Sequence, residues 1–211
     1  MSPFRQRLWN VFVRRLLVLE LPLSEETVQR EHPDAVRCGW ITAEDLEEYR
    51  AVRPDQDRAS LVDRWADGHR CVGIWKNGRL CGTGWLSAGP LEVPLWYLNR
   101  SVRLGSDQAA FFDTYMHPDA RRQRLSSIRS SWMRRQLHLE GVAVALAFVA
   151  PENEASLRMC TGMGYRRTGV LSSLGFLDHR VVWSSADAGQ TVPEVVRRSF
   201  VRRSSEREHS I

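Results

Sequence analysis

The clearest pattern in the chain is a switch between two hydrophobic periods in its second half. Residues 142–150 form a nearly unbroken apolar run, as expected of a strand buried on both faces. Just before it, Leu125, Ile128, Trp132 and Leu139 recur at helical spacing and Gly141 stops the segment, so a helix is predicted over 125–140. Residues 109–116 read as a shorter apolar strand closed by Pro118. After the buried run, Asn153 caps a predicted helix through Cys160, which the glycines at 162 and 164 end. Residues 165–171 and 176–183 read as two closing strands.

The first half is patterned differently. Thr42, with Asp45 three positions on, caps a helix predicted over 42–50, with Leu46 and Tyr49 facing the core and Pro54 as breaker. A second helix is expected over 59–65, ending near Gly68. Residues 71–86 read as a hairpin, because Asn77-Gly78 is a type I′ turn signal between runs of strand formers. The stretch 87–105 holds Pro90, Pro94 and Asn99 around Leu95, Trp96, Tyr97 and Leu98, and reads as a surface loop.

The ends are basic. Phe4, Leu8, Val11 and Phe12 share a helix face beside Arg5, Arg7, Arg14 and Arg15. An amphipathic helix over 3–13 is predicted to run into a strand over 15–21 that Pro22 ends. It is expected to dock on its own domain; contact with an anionic membrane is the less favoured use. Residues 195–203 suggest a short helix, and 204–211 read as disordered. The order of elements implies an α/β fold with a mixed sheet flanked by helices. Three parts follow: 1–23 as N-terminal helix and first strand, 24–184 as the domain proper, and 185–211 as a basic tail.

Composition narrows this picture modestly. A chain of 211 residues suits one domain with short extensions, and 43% hydrophobic with 26% charged residues is ordinary for a soluble protein. Arginines interrupt the apolar N-terminal stretch, unlike a secretory signal. Cys38, Cys71, Cys81 and Cys160 form no C-x-x-C pair, so no metal is expected, and free thiols in a reducing cytoplasm are. The net charge of +5 comes almost wholly from arginine, Lys76 being the only lysine. No nucleic-acid recognition motif accompanies it, so no nucleic-acid partner is expected. The eight tryptophans are compatible with a homodimer.

Two segments carry candidate chemistry. The first is Asp113-Thr-Tyr-Met-His-Pro118-Asp-Ala-Arg121-Arg-Gln-Arg124-Leu-Ser126, a strand, a basic loop and a helix start. Free amides and the helix dipole at such a start favour an anion, and Arg121, Arg122 and Arg124 add cations suited to a pyrophosphate. The second is Asn153-Glu-Ala-Ser156-Leu-Arg-Met-Cys160-Thr-Gly-Met-Gly164-Tyr165.

In this order and at this separation the two segments resemble the acyl-CoA motifs of the GNAT superfamily of N-acetyltransferases. The resemblance covers roughly residues 40–184. It implies a mostly antiparallel mixed sheet and acetyl-CoA or another acyl-CoA as co-substrate. Tyr115, Met116, Arg121, Arg122, Gln123, Arg124, Leu125, Ser126, Asn153 and Ser156 would hold it. Transfer would go by direct attack of an amine, on a small molecule or peptide, with strand amides polarising the thioester oxygen. Asp113 would act as base, with Tyr115 and His117 on its strand face and Glu92 a weaker candidate. Two positions depart from the family pattern. Arg124 stands where glycine is usual, and Cys160, the candidate proton donor on this resemblance, stands where many members carry the tyrosine that reprotonates the leaving thiolate. A longer acyl chain on a carrier protein, or a catalytically inactive binding module, are the alternatives these departures leave open.

Overall fold

The computed structural model describes residues 13–24, 35–176 and 179–196. The elements, in chain order, are β1 (Val13–Pro22), β2 (Val36–Ile41), α1 (Leu46–Val52), α2 (Arg58–Ala66), β3 (Arg70–Lys76), β4 (Arg79–Ala88), β5 (Glu92–Leu95) and β6 (Arg100–Arg103). Then come β7 (Gln108–Met116), α3 (Leu125–Leu139), β8 (Val144–Val149), α4 (Glu154–Gly162), β9 (Arg166–Phe176), β10 (His179–Ala186) and β11 (Glu194–Val196). Eight strands form one sheet in the order β10-β9-β1-β8-β7-β4-β3-β2. Every neighbouring pair is antiparallel except β7 with β8.

Local chemistry explains the well-predicted elements. Asn77 and Gly78 both take positive φ, 52° and 77°, which closes the β3–β4 hairpin as the type I′ turn requires. Thr42 and Asp45 form the reciprocal cap, with Thr42 N–H donating to Asp45 Oδ2 at 2.9 Å and Glu44 N–H donating to Thr42 Oγ1 at 3.3 Å. The cap opens a 3-10 turn, so α1 begins at Leu46 and reaches Val52. Asp57 caps α2 by accepting from Ala59 and Ser60.

Alternation along the strands divides the core in two. Leu16, Val18, Trp85, Phe112, Leu146 and Leu171 face α1 and α2. Leu19, Leu21, Ala145 and Ala147 lie on the other face, under Met133 and Leu137 of α3 and Cys160 of α4.

Several expectations are corrected. The span 87–105 is not a loop: β5 and β6 pair as a hairpin around Trp96–Leu98, and β11 adds to β6, making a separate three-stranded sheet. Asn99, in the left-handed conformation at φ 53°, supplies the turn, and Pro94 is tolerated because β5 is an edge strand. Val195 and Val196, placed at the start of a C-terminal helix by their pattern, belong to strand β11, and 197–203 lie outside the described residues. Strand β2 is an addition to the sequence reading. On α3, Leu139 is 70% exposed, and the buried stripe is Leu125, Arg129, Met133 and Leu137. Residues 3–12 and 204–211 lie outside the described residues. Among the described residues no helix is long and apolar enough to cross a membrane.

Candidate functional site

The parallel pair β7–β8 holds together only in part. Its register runs from Gln108↔Val144 to Phe111↔Ala147, although β7 continues to Met116 and β8 to Val149. Beyond Phe111 the two strands part. On its other side β7 stays paired with β4 through Gly82↔Met116. A gap therefore opens inside the sheet, with a row of β7 backbone groups along one wall.

A β-bulge bends β7 at the start of that gap. The register steps from Trp85↔Phe112 to Thr83↔Tyr115, so Asp113 and Thr114 stand opposite Gly84 alone. Asp113 takes φ 43°, a left-handed conformation that asparagine and aspartate tolerate better than most residues. Its carboxylate is fastened from the α1–α2 side. Arg53 donates to Oδ1 from Nη1 at 3.2 Å and from Nη2 at 3.1 Å, and Arg64 Nη1 donates to Oδ2 at 2.6 Å. Arg53 also forks onto Asp55 and lies over the Tyr115 ring, while Arg64 lies over the Trp85 and Trp96 rings. Burial works against the Arg53 charge, but the Asp55 hydrogen bonds and the Asp113 charge override it and hold Arg53 above its ordinary range. The Arg53 hydrogen bonds bring Asp55 down to about 2. Asp113 thus has a structural occupation for both oxygens, which the sequence reading of it as a base did not include.

From the opposite face, Arg129 of α3 reaches under the same bulge. Its Nη1 donates to the carbonyl of Tyr115 at 2.8 Å and to that of Thr83. The side chain is 2% exposed, and its Nε and the Thr83 hydroxyl are buried without a partner. Burial lowers its pKa to about 10, so it remains a cation at neutral pH. Cys38 and Cys71, the titratable groups that interact with its charge, are pushed up by burial to about 11 and about 12 and stay neutral thiols. Among the described residues no carboxylate pairs with it.

The basic loop follows β7. Pro118–Ala120 make one 3-10 turn, and Arg122 and Arg124 take positive φ, 63° and 59°. Arg124 thus adopts the backbone form a glycine would take there, and it directly precedes α3 without capping it. Arg121 Nε donates to Met116 O at 3.2 Å, and Gln123 accepts from Lys76 and donates to Asp119 O. Arg121, Arg122, Gln123 and Arg124 are exposed, Ser126 is half-buried and Leu125 is buried. The first amides of α3 have no preceding helical carbonyl to bond.

The second motif lies just past β8. Asn153 Oδ1 accepts from the Ser156 amide at 3.2 Å, so both serve the cap of α4. Cys160 is buried in the α3–α4 core, and desolvation raises its pKa, keeping it a thiol. Between Ala150 and Asn153, Glu152 accepts a 2.5 Å hydrogen bond from the Tyr97 hydroxyl. Tyr97 belongs to the β5–β6 hairpin and packs on the same core cluster as Tyr115, Phe148 and Ala150. It lies beneath Arg14, which also donates to its carbonyl. Trp96, beside it, covers Phe112 at 5.6 Å between ring centroids. His117 forms only a loose contact with Asp119, and Glu92 pairs with Arg103 in the small sheet. No cluster of three metal-ligating side chains occurs among the described residues.

Arg53, Arg64, Arg129, Tyr97 and Glu152 are the residues that sequence reasoning missed. One signal was available: Leu125, Arg129, Met133 and Leu137 form a strict i, i+4 stripe in which a single arginine stands among apolar residues.

No family model and no curated protein matches the sequence. Solved structures do match the fold. A protein from Novosphingobium aromaticivorans assigned to the GNAT family of acetyltransferases superposes with a TM-score of 0.53 at 16% identity, over 76% of this chain and 62% of its own. An aminoglycoside N-acetyltransferase in complex with CoA gives 0.52 at 15% identity, over 65% of this chain and 92% of its own. A protein of unknown function from Staphylococcus epidermidis gives 0.56 at 11% identity, over 82% of this chain and 66% of its own. The chain thus spans less than two thirds of the length of the first and third of these proteins. With a mostly antiparallel mixed sheet, one parallel pair that parts, and helices on both faces, the chain has the fold of the GNAT acetyltransferases.

Proposed function

We propose that the chain is an acyl-CoA-dependent N-acyltransferase that moves an acyl group, acetyl in the simplest case, from CoA to an amine of a small molecule or peptide. The observation that carries this reading is the gap between β7 and β8, which leads directly to the arginine-rich loop at the start of α3. The loop suits the pyrophosphate: Arg121, Arg122 and Arg124 bring cations, and the amides of Leu125 and Ser126 open a 15-residue helix. Met116 and Tyr115 then line the β7 wall, and Asn153 and Ser156 stand at the other side of the opening.

The amine must be neutral to attack the thioester carbonyl. Asp113 is fastened to two guanidiniums, so its role in this reading is to keep β7 bent. Glu152, hydrogen-bonded to the Tyr97 hydroxyl, is the carboxylate we assign to take the proton. The leaving thiolate takes a proton from the Tyr97 phenol, which Glu152 replaces; one proton leaves nitrogen and one reaches sulfur. Cys160 packs the core and takes no part. We place this activity in the cytoplasm, in keeping with four free cysteines.

Calorimetric titration with CoA and acetyl-CoA tests the reading. Binding of either in the micromolar range, weakened by salt, supports it. Absence of binding for both overturns it.

A further inference from the structure

Arg129 has no evident reason to be a cation. It is buried, carries no carboxylate partner among the described residues, and sits among apolar neighbours of α3. An uncompensated buried charge is costly, and an apolar residue would complete the stripe more cheaply. Its contacts show what the charge touches.

The ladder fixes the direction of each β7 peptide. The His117 amide donates to Cys81 O at 2.8 Å, so His117↔Cys81 is a hydrogen-bonded pair. In an antiparallel ladder such pairs alternate. Thr83↔Tyr115 is therefore the next hydrogen-bonded pair, and Met116↔Gly82 is a pair whose amides face away from each other. Tyr115 points its carbonyl at β4, where Arg129 meets it. Met116 points its N–H the opposite way, into the gap. The carbonyl of Tyr115 and the N–H of Met116 belong to one peptide group.

We propose that Arg129 is a positioning residue which, by holding the Tyr115 carbonyl, fixes the Tyr115–Met116 peptide and polarises it so that the Met116 amide becomes a strong donor to the acyl oxygen. A carbonyl bonded to a cation draws electron density from its own nitrogen and strengthens the N–H on the far side. The gain falls where negative charge develops as the amine attacks, in a site already built to receive it. Arg129 does this from the β4 side of the peptide, without itself entering the gap. The Asp113 clamp works with it: Arg53 and Arg64 hold the bulge from one face, and Arg129 holds the next residue pair from the other. The inference rests on the acyltransferase reading and adds the origin of the oxyanion donor.

Tyr115-Met116 is the only Tyr-Met step in the sequence. Protein carrying carbonyl-13C tyrosine and 15N methionine therefore gives one carbonyl-filtered amide signal, from this peptide alone. In the wild-type protein that signal should move downfield on adding acetyl-CoA and much less on adding CoA. Infrared difference spectra with carbonyl-13C acetyl-CoA should show the thioester stretch shifted down in the wild type. The shift should be retained in Arg129→Lys, which keeps the cation, and largely lost in Arg129→Gln, while acetyl-CoA affinity changes less than about threefold, since uniform binding is untouched. A silent Met116 amide in wild-type protein whose loop signals respond to acetyl-CoA would overturn the inference, even if both variants fail to fold. An equal thioester shift in Arg129→Gln would do the same. If no signal responds to acetyl-CoA anywhere, the acyltransferase reading fails instead.

Discussion

Arg64 Nη1 stands 2.6 Å from Asp113 Oδ2, joining a helix to a strand bulge 49 residues away and holding a non-glycine residue at positive φ. With Arg53 on the other oxygen, the clamp stores a conformation that the strand would not adopt alone.

Asp113→Asn should consequently act on stability before it acts on chemistry. It removes the charge facing two guanidiniums whose side chains are only 7% and 15% exposed. Breaking a buried pair in this way costs roughly 3 kcal/mol. Urea unfolding would show the loss. An unchanged midpoint, with turnover reduced most at low pH, would instead restore Asp113 as the base.

Glu152→Gln and Tyr97→Phe should leave folding and acetyl-CoA affinity close to wild type, since their hydrogen bond is exposed. Turnover of acetyl-CoA with an active amine should fall about 100-fold or more in Glu152→Gln, as for loss of a general base. Cys160→Ala should stay within about threefold of wild type, because other groups serve the proton transfers. A large loss confined to Cys160→Ala would reverse these assignments.

The loop separates charge from backbone shape. Arg121→Ala with Arg122→Ala should weaken acetyl-CoA binding and flatten its salt dependence, measured by calorimetry at two ionic strengths. Arg124→Gly should stabilise the protein by about 1 kcal/mol, because glycine takes φ 59° without the cost a Cβ imposes. A fall in melting temperature for Arg124→Gly would show that its side chain matters more than its backbone.

His69 gives the fold a pH dependence. Its Nδ1 lies 2.7 Å from Ser87 Oγ in a buried setting, edge-on to Phe112. Burial, assisted by Arg64 and opposed by Asp67, lowers its pKa from the ordinary 6.5. The unfolded chain therefore takes up this proton first as pH falls through 6.5. The contribution is full above that pH, declines below it, and levels off once the folded-state pKa is passed. Urea midpoints between pH 7.5 and 5 should fall less steeply in His69→Gln than in wild type. Parallel curves would show that His69 does not carry this pH dependence.

Local signals explain what the sequence made legible. The Asn77-Gly78 turn, the Thr42–Asp45 box and the Asn153 cap each close within three or four residues, so their chemistry is written side by side. The bulge is different. Its marker is an aspartate where a glycine would have signalled positive φ, and its support arrives from Arg53 and Arg64, distant in sequence. Prolines made the stretch 87–105 resemble a loop because its third strand, β11, comes from the far end of the described chain. Arg129 breaks the apolar stripe of α3, so the spacing points to Leu139 as a core position in place of the buried Leu137.

Strand β1 lies inside the large sheet, yet both of its neighbours, β8 and β9, belong to the last third of the sequence. During synthesis the apolar segment Leu16 to Leu21 therefore waits unpaired while more than a hundred residues emerge. The meander of β2, β3 and β4, with its tight turn, can assemble meanwhile from nearby contacts. Closing the long loop to β1 is the slow, non-local event, and the waiting strand is the segment most exposed to misassociation. The wall of the gap contributed by β8 gains its second neighbour only at that moment, so until β1 docks one wall of the site lacks lateral support.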